Sequence, residues 1–220
     1  MFFISGCTSL GGAAVGAAQA YWNTRNPPSY AHVPLQPNIT YLEVHAPSSS
    51  ALMVLAEVYT PQPSGSAVAP SVETWVSGSG ELLRTQSGFV VGSAGVPYLP
   101  QVAQTEWAGF GAPLSLAVHM PSTGVHGLAL QWNVVDVPGA LLNKPSPLLK
   151  RAQQVQGLQY KAWQANATDG GNAPNATQPI FQLVATHPNT RNLVYGQYCV
   201  GGLAQGQCIE YLLRTAASNL

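Results

Sequence analysis

A chain of 220 residues with 46% hydrophobic but only 7% charged side chains, 22 glycines and 18 prolines has enough apolar matter for a core. It is too sparsely charged for an ordinary cytosolic enzyme or a solvated disordered tail. The 8 basic residues balance the 8 acidic ones, so no net field gathers phosphates and nucleic acid is not an expected partner. Nor is there an apolar run of the roughly 18 residues that a spanning helix needs.

The chain opens Met1-Phe2-Phe3-Ile4-Ser5-Gly6-Cys7-Thr8. Small residues ahead of a cut site let a peptidase close around an extended backbone, and Ile4-Ser5-Gly6-Cys7 resembles the lipobox of bacterial lipoproteins. That resemblance implies a diacylglycerol on the Cys7 thiol and cleavage just before it. Residues 1–6 are then the remnant of a signal peptide, which in full needs a basic segment and about 7–15 apolar residues. Thr8 rather than an aspartate after the cysteine implies delivery to the periplasmic face of the outer membrane. The plainer reading is that Cys7 is a free or buried thiol acting as a small hydrophobe. Residues 7–37 read as a tether, small and Gly/Ala-rich at first, then stiffened by Pro27, Pro28, Pro34 and Pro37.

From Asn38 the pattern becomes short apolar or alternating runs broken by turn residues, as strands are. Ile39 to Val44 and Ala51 to Tyr59, separated by Pro47-Ser48-Ser49-Ser50, predict a hairpin. Glu73 to Val76, the turn at Ser77 to Gly80, Glu81 to Thr85, a second turn at Gln86 to Gly88, and Phe89 to Val91 predict a meander. Leu114 to His119 and Val125 to Val135 are further strands. Leu148, Leu149, Ala152 and Val155 have helical spacing, so the segment from Leu148 to Gln156 is equally compatible with a short helix that Gly157 ends. Leu158 to Ala165, Ile180 to Thr186, Asn192 to Val200 and Gln207 to Arg214 complete the strands. The expected fold is all-β and mainly antiparallel, a sandwich or barrel-like sheet over residues 38–220. A division into two modules near 95–113 is the alternative.

If the last two strands pair about Leu203-Ala204, Cys199 falls opposite Cys208. A cross-strand disulfide is then geometrically feasible, and export makes it chemically permissible.

The order of motifs from Ile39-Thr40-Tyr41-Leu42-Glu43-Val44, through the apolar strand at Leu52 to Ala56, Glu73-Thr74-Trp75-Val76-Ser77-Gly78-Ser79-Gly80 and Leu83-Arg84-Thr85-Gln86-Ser87-Gly88-Phe89-Val90-Val91, to Gly95-Val96-Pro97 is similar to that of the YjbF/GfcB family of outer-membrane lipoproteins. It departs at Phe89, where a basic residue is usual. It also departs at the carboxyl end, where the aromatic pair is reduced to Tyr195 and Tyr198. The resemblance covers about a quarter of the chain. It implies a mostly antiparallel β protein that is an accessory in capsular or extracellular polysaccharide secretion, with no catalytic residues.

The residues themselves agree with a non-enzyme. No nucleophile elbow, P-loop or dinucleotide fingerprint is present, and no cofactor is expected. His32, His45, His119, His126 and His187 are scattered without metal-ligand spacing. Only His119 and His126 could face one another, across the turn at Pro121 to Gly124, and no metal is expected there. Glu57, Glu73, Glu81 and Glu106 would support an alternative, a glycan hydrolase with paired glutamates, if two of them converged. The plainer reading is the wet face of a sheet. Trp107, beside Gly109 and Gly111, is the first candidate for a glycan or partner contact. Trp75 is the second, although its apolar strand also suits core packing. The expected partners are the membrane, through the lipid, and a polysaccharide or proteins of a secretion system. A structural scaffold for an envelope machine is a further alternative.

Overall fold

The computed structural model describes residues 30–47, 49–60, 71–96, 99, 101–106, 114–120, 125–143, 145–168, 180–190, 192–200 and 207–216. Twelve strands account for most of them: β1 (Thr40–Ala46), β2 (Ser49–Tyr59), β3 (Val72–Val76), β4 (Leu82–Gln86), β5 (Phe89–Ala94), β6 (Gln101–Glu106), β7 (Leu114–Met120), β8 (Val125–Val135), β9 (Gln159–Thr168), β10 (Ile180–Thr186), β11 (Leu193–Val200) and β12 (Gln207–Thr215). Two short helices, α1 (Gly139–Leu142) and α2 (Pro147–Ala152), interrupt the series.

The strands form one 12-stranded sheet in the order β5-β4-β3-β2-β1-β12-β11-β10-β9-β8-β7-β6. All pairings are antiparallel and all but one join neighbours in sequence, so the expected meander extends through the whole sheet. The exception joins the first strand to the last, with Glu43 opposite Leu212 and His45 opposite Glu210. That pairing places β5 and β6, consecutive in sequence, at opposite edges. A flat sheet of this size would be about 50 Å wide. The connection from Ala94 to Gln101 reaches at most about 25 Å, and β5 and β6 touch. The sheet must therefore curl into a partly closed barrel, the all-β antiparallel architecture expected from the strand pattern.

Alternation along the strands divides the side chains between two faces. The concave face holds Leu42 and Val44 of β1, Met53 of β2, Trp75 of β3, Trp132 of β8, Tyr198 of β11 and Tyr211 of β12 in one core. The turn between β4 and β5 folds into it. Phe89 packs edge-on against Trp132 and Trp163, with ring centroids 5.0 and 5.4 Å apart. The Gly88 carbonyl accepts hydrogen bonds from the Tyr211 hydroxyl at 2.7 Å and the Gln182 amide at 3.4 Å. A backbone group buried in the curl thus finds partners on β10 and β12, which it needs because an unpaired buried carbonyl is costly. Gly88 is suited to the turn by its φ of +79°, and an added Cβ would lie 2.7 Å from Leu193 and 2.8 Å from Val184.

The convex face is covered in two places. Helix α2 lays Leu148, Leu149 and Ala152 on Leu183, Tyr195 and Leu212. It is the helix suggested by the Leu148 to Val155 spacing, though it ends at Ala152. Its start follows the sequence: Ser146 caps it by accepting from the Leu149 amide at 3.0 Å, and Pro147 takes the first turn, where no amide is missed. A strap from Tyr30 to Ile39 lies over β1 and β2, where Tyr30, Leu35 and Ile39 meet Tyr41, Leu52 and Val54.

Cys199 lies opposite Cys208 in the β11–β12 register, and the two form a disulfide. With the bonded cysteines nine positions apart in sequence, closing this loop is worth roughly 2–3 kcal/mol. A Cys199→Ala/Cys208→Ala double variant should lose about that much stability in urea. It should retain its far-ultraviolet circular dichroism, because the ladder around it is hydrogen-bonded without the bridge.

Candidate functional site

The convex face of β1 and β12 carries the densest polar constellation among the described residues. Tyr41, Glu43 and His45 alternate outward on β1, opposite Arg214, Leu212 and Glu210 of β12. Where such residues usually form a wet face, here the strap and α2 close over them, and Glu43 is 0% exposed. The carboxylate is met from three sides. His45 Nε2 lies 3.0 Å from Oε1, while Arg151 Nη2 of α2 and Arg214 Nη1 of β12 lie 2.6 and 3.4 Å from Oε2.

Arg214 also donates to the backbone carbonyls of Tyr30 and, at 3.2 Å, Ala31. One carboxylate therefore fastens three separate pieces of chain: the sheet, the helix and the strap. Burial alone would raise the Glu43 pKa, but the hydrogen bonds and charges of His45 and Arg151 outweigh it and hold the carboxyl below the usual range. Burial also lowers the Arg214 pKa, opposed by Glu43 and reinforced by Arg151. Two guanidinium groups against one carboxylate leave an excess positive charge. Glu210, opposite His45 on β12, is engaged by Ser146 and Gln197.

Beside this junction opens a cavity of about 450 Å³. Its wall consists of residues 31–35 of the strap, Arg151 and Gln154 at the end of α2, and Arg214 with the two residues after it. Arg151 Nη1 and Arg214 Nε are buried without a hydrogen-bond partner. The cavity thus combines guanidinium groups with an imidazole, His32, and a carboxamide, Gln154, at a size that suits a small polar ligand.

Trp75 and the four glutamates weighed from sequence lie elsewhere, whereas His32 and His45 fall at the cavity and the junction. Trp75 is 1% exposed and donates to Thr85 at 2.9 Å, so its ring belongs to the core and presents no face to a glycan. Cys7 and Trp107 lie outside the described residues. His119 and His126 fall on the adjacent strands β7 and β8. Of the four glutamates considered for glycan hydrolysis, Glu73 is bonded to Thr85 and Glu81 to Ser77. Glu57 is exposed on β2 and Glu106 ends β6. Burial raises the Glu73 pKa, partly countered by the Thr85 hydrogen bond. Among the described residues, no group of three metal-ligating side chains forms, and no helix is long and apolar enough to cross a membrane.

No family model matches the chain, and no curated protein matches it in sequence. A solved structure does match: the hypothetical lipoprotein YmcC from Escherichia coli (K12), with a TM-score of 0.51 over 96% of this chain and 97% of that one. The chain shares its fold with a bacterial lipoprotein. At 10% identity the likeness is one of fold, and it extends over almost the full length of both chains. The sequence signal for the junction was present but easily misread. In a chain with 8 acidic residues, a glutamate between tyrosine and histidine at alternate strand positions reads as solvent-facing unless the covering segments are known.

Proposed function

We propose that this protein is a lipoprotein anchored through Cys7 to the periplasmic face of the outer membrane. Its β domain assists export or assembly of a capsular or extracellular polysaccharide by binding rather than by catalysis. The observation that carries this reading is the near full-length likeness of fold to a bacterial lipoprotein, in a chain whose Ile4-Ser5-Gly6-Cys7 resembles a lipobox. The cavity beside Arg151 and Arg214 gives such a domain a place to hold a polar ligand. The disulfide suits an oxidising compartment.

The anchor is tested by metabolic labelling with a palmitate analogue in cells expressing the gene with its full upstream region. The wild-type chain should be labelled and sediment with outer membranes, whereas Cys7→Ser should lose both properties. An unlabelled wild-type chain would refute the anchor. Deletion of the gene should reduce or alter surface polysaccharide, and an unchanged surface would remove the polysaccharide role.

A further inference from the structure

We propose that the cavity between the strap and α2 is a subsite for a carboxylate-bearing sugar, a hexuronate unit, gripped through its carboxylate by Arg151 and Arg214. This deepens, and rests on, the polysaccharide-binding reading above. The charge and the shape of the site point the same way. Glu43, the counter-charge, is 0% exposed behind the two arginines and has both oxygens engaged. A ligand in the cavity therefore meets guanidinium groups rather than the carboxylate. Two guanidinium groups on the wall, with the one carboxylate withdrawn behind them, favour an anionic occupant.

Arg151 and Arg214 each retain a buried N–H group without a partner, Nη1 and Nε respectively. The guanidinium groups line the cavity, and such groups make short, charge-assisted and often bidentate hydrogen bonds to carboxylates. The remaining wall suits the rest of a pyranose. His32 and Gln154 offer hydrogen-bonding groups for hydroxyls, and Val33 offers an apolar surface for the C–H face of the ring. A volume of about 450 Å³ has room for a monosaccharide, not only for an ion.

The test titrates the full chain in detergent with D-glucuronate, D-glucose and inorganic phosphate by calorimetry. Glucuronate should bind saturably, at least about tenfold more tightly than glucose or phosphate, and more weakly as salt is raised. Arg151→Gln should weaken glucuronate binding by about tenfold or more. Because Arg151 also holds Glu43, a second variant, Gln154→Ala, lies in the wall outside that ion pair. It should weaken binding severalfold without lowering the melting temperature. Equal affinity for glucose, tighter binding of phosphate, no saturable binding of glucuronate, or unchanged affinity in Gln154→Ala would each overturn the assignment. Those failures would leave the anchor and the deletion phenotype intact. Conversely, normal surface polysaccharide in the deletion strain beside intact glucuronate binding would remove the role but keep the site.

Discussion

Replacing Glu43 with glutamine should cost about 3–5 kcal/mol of folding stability, because it leaves one buried and one partly buried guanidinium group facing a neutral amide. Arg151 and Arg214 have side-chain exposures of 16% and 5%, so water can replace little of the lost counter-charge. The effect carries a pH signature with a definite sign. The Glu43 pKa in the folded state lies below its ordinary value of 4.5, so the folded state binds the proton less readily than the unfolded chain does. Its stabilisation is complete above the ordinary carboxylate range and is lost as pH falls through the depressed folded-state pKa. The wild-type protein should accordingly lose stability on acidification more steeply than Glu43→Gln, and the two urea midpoints should converge at low pH. Urea melts across the acid range check this, and parallel profiles would mean that Glu43 is not the ionised centre of the junction.

A second large effect is expected at Gly196 on β11. A methyl group there would overlap the ring of Tyr211 across the β11–β12 pair, and Tyr211 is fully buried with its hydroxyl committed to Gly88 and Gln182. The ring cannot move without breaking the contact that holds the β4–β5 turn inside the curl. Gly196→Ala should therefore destabilise by about 3 kcal/mol, the upper end of the range for overpacking. Gly139→Ala, where the added group meets only Asn143 at 3.9 Å, should stay within about 0.5 kcal/mol. Combining Gly196→Ala with Tyr211→Leu should cost less than the sum of the two single changes, since the second removes the ring that the first strikes. Strict additivity in chemical denaturation would show that the clash is not the cause.

The strands were legible because their ends are written in turn residues: Pro47, Ser77 to Gly80, Gln86 to Gly88 and the Gly-rich segment after Val200. The Cys199 to Cys208 register followed from the symmetry of its hairpin alone. Strand β6 was missed because Gln101 to Glu106 lacks an aliphatic rhythm, and its identity as a strand comes from pairing with β7. The pairing of β1 with β12 could not be read at all, because nothing local in Thr40–Ala46 specifies a partner so far along the chain. The polar junction depends on that long-range pairing. Arg214 reaches Glu43 only when first and last strands are neighbours, and both are buried only when Tyr30 and α2 cover them. Sequence reasoning weighed Glu57, Glu73, Glu81 and Glu106, the glutamates of the meander. The glutamate that the fold gathers charge around is Glu43.

Binding without catalysis is the central claim, and one measurement addresses it directly. The purified full chain is incubated with surface polysaccharide from its own producing cells while both retention of the glycan and the appearance of new reducing ends are followed. Retention with no new reducing ends is the expected result. Release of reducing ends that disappears when Glu57, Glu73, Glu81 or Glu106 is changed to glutamine would contradict the account and make the protein a glycan hydrolase.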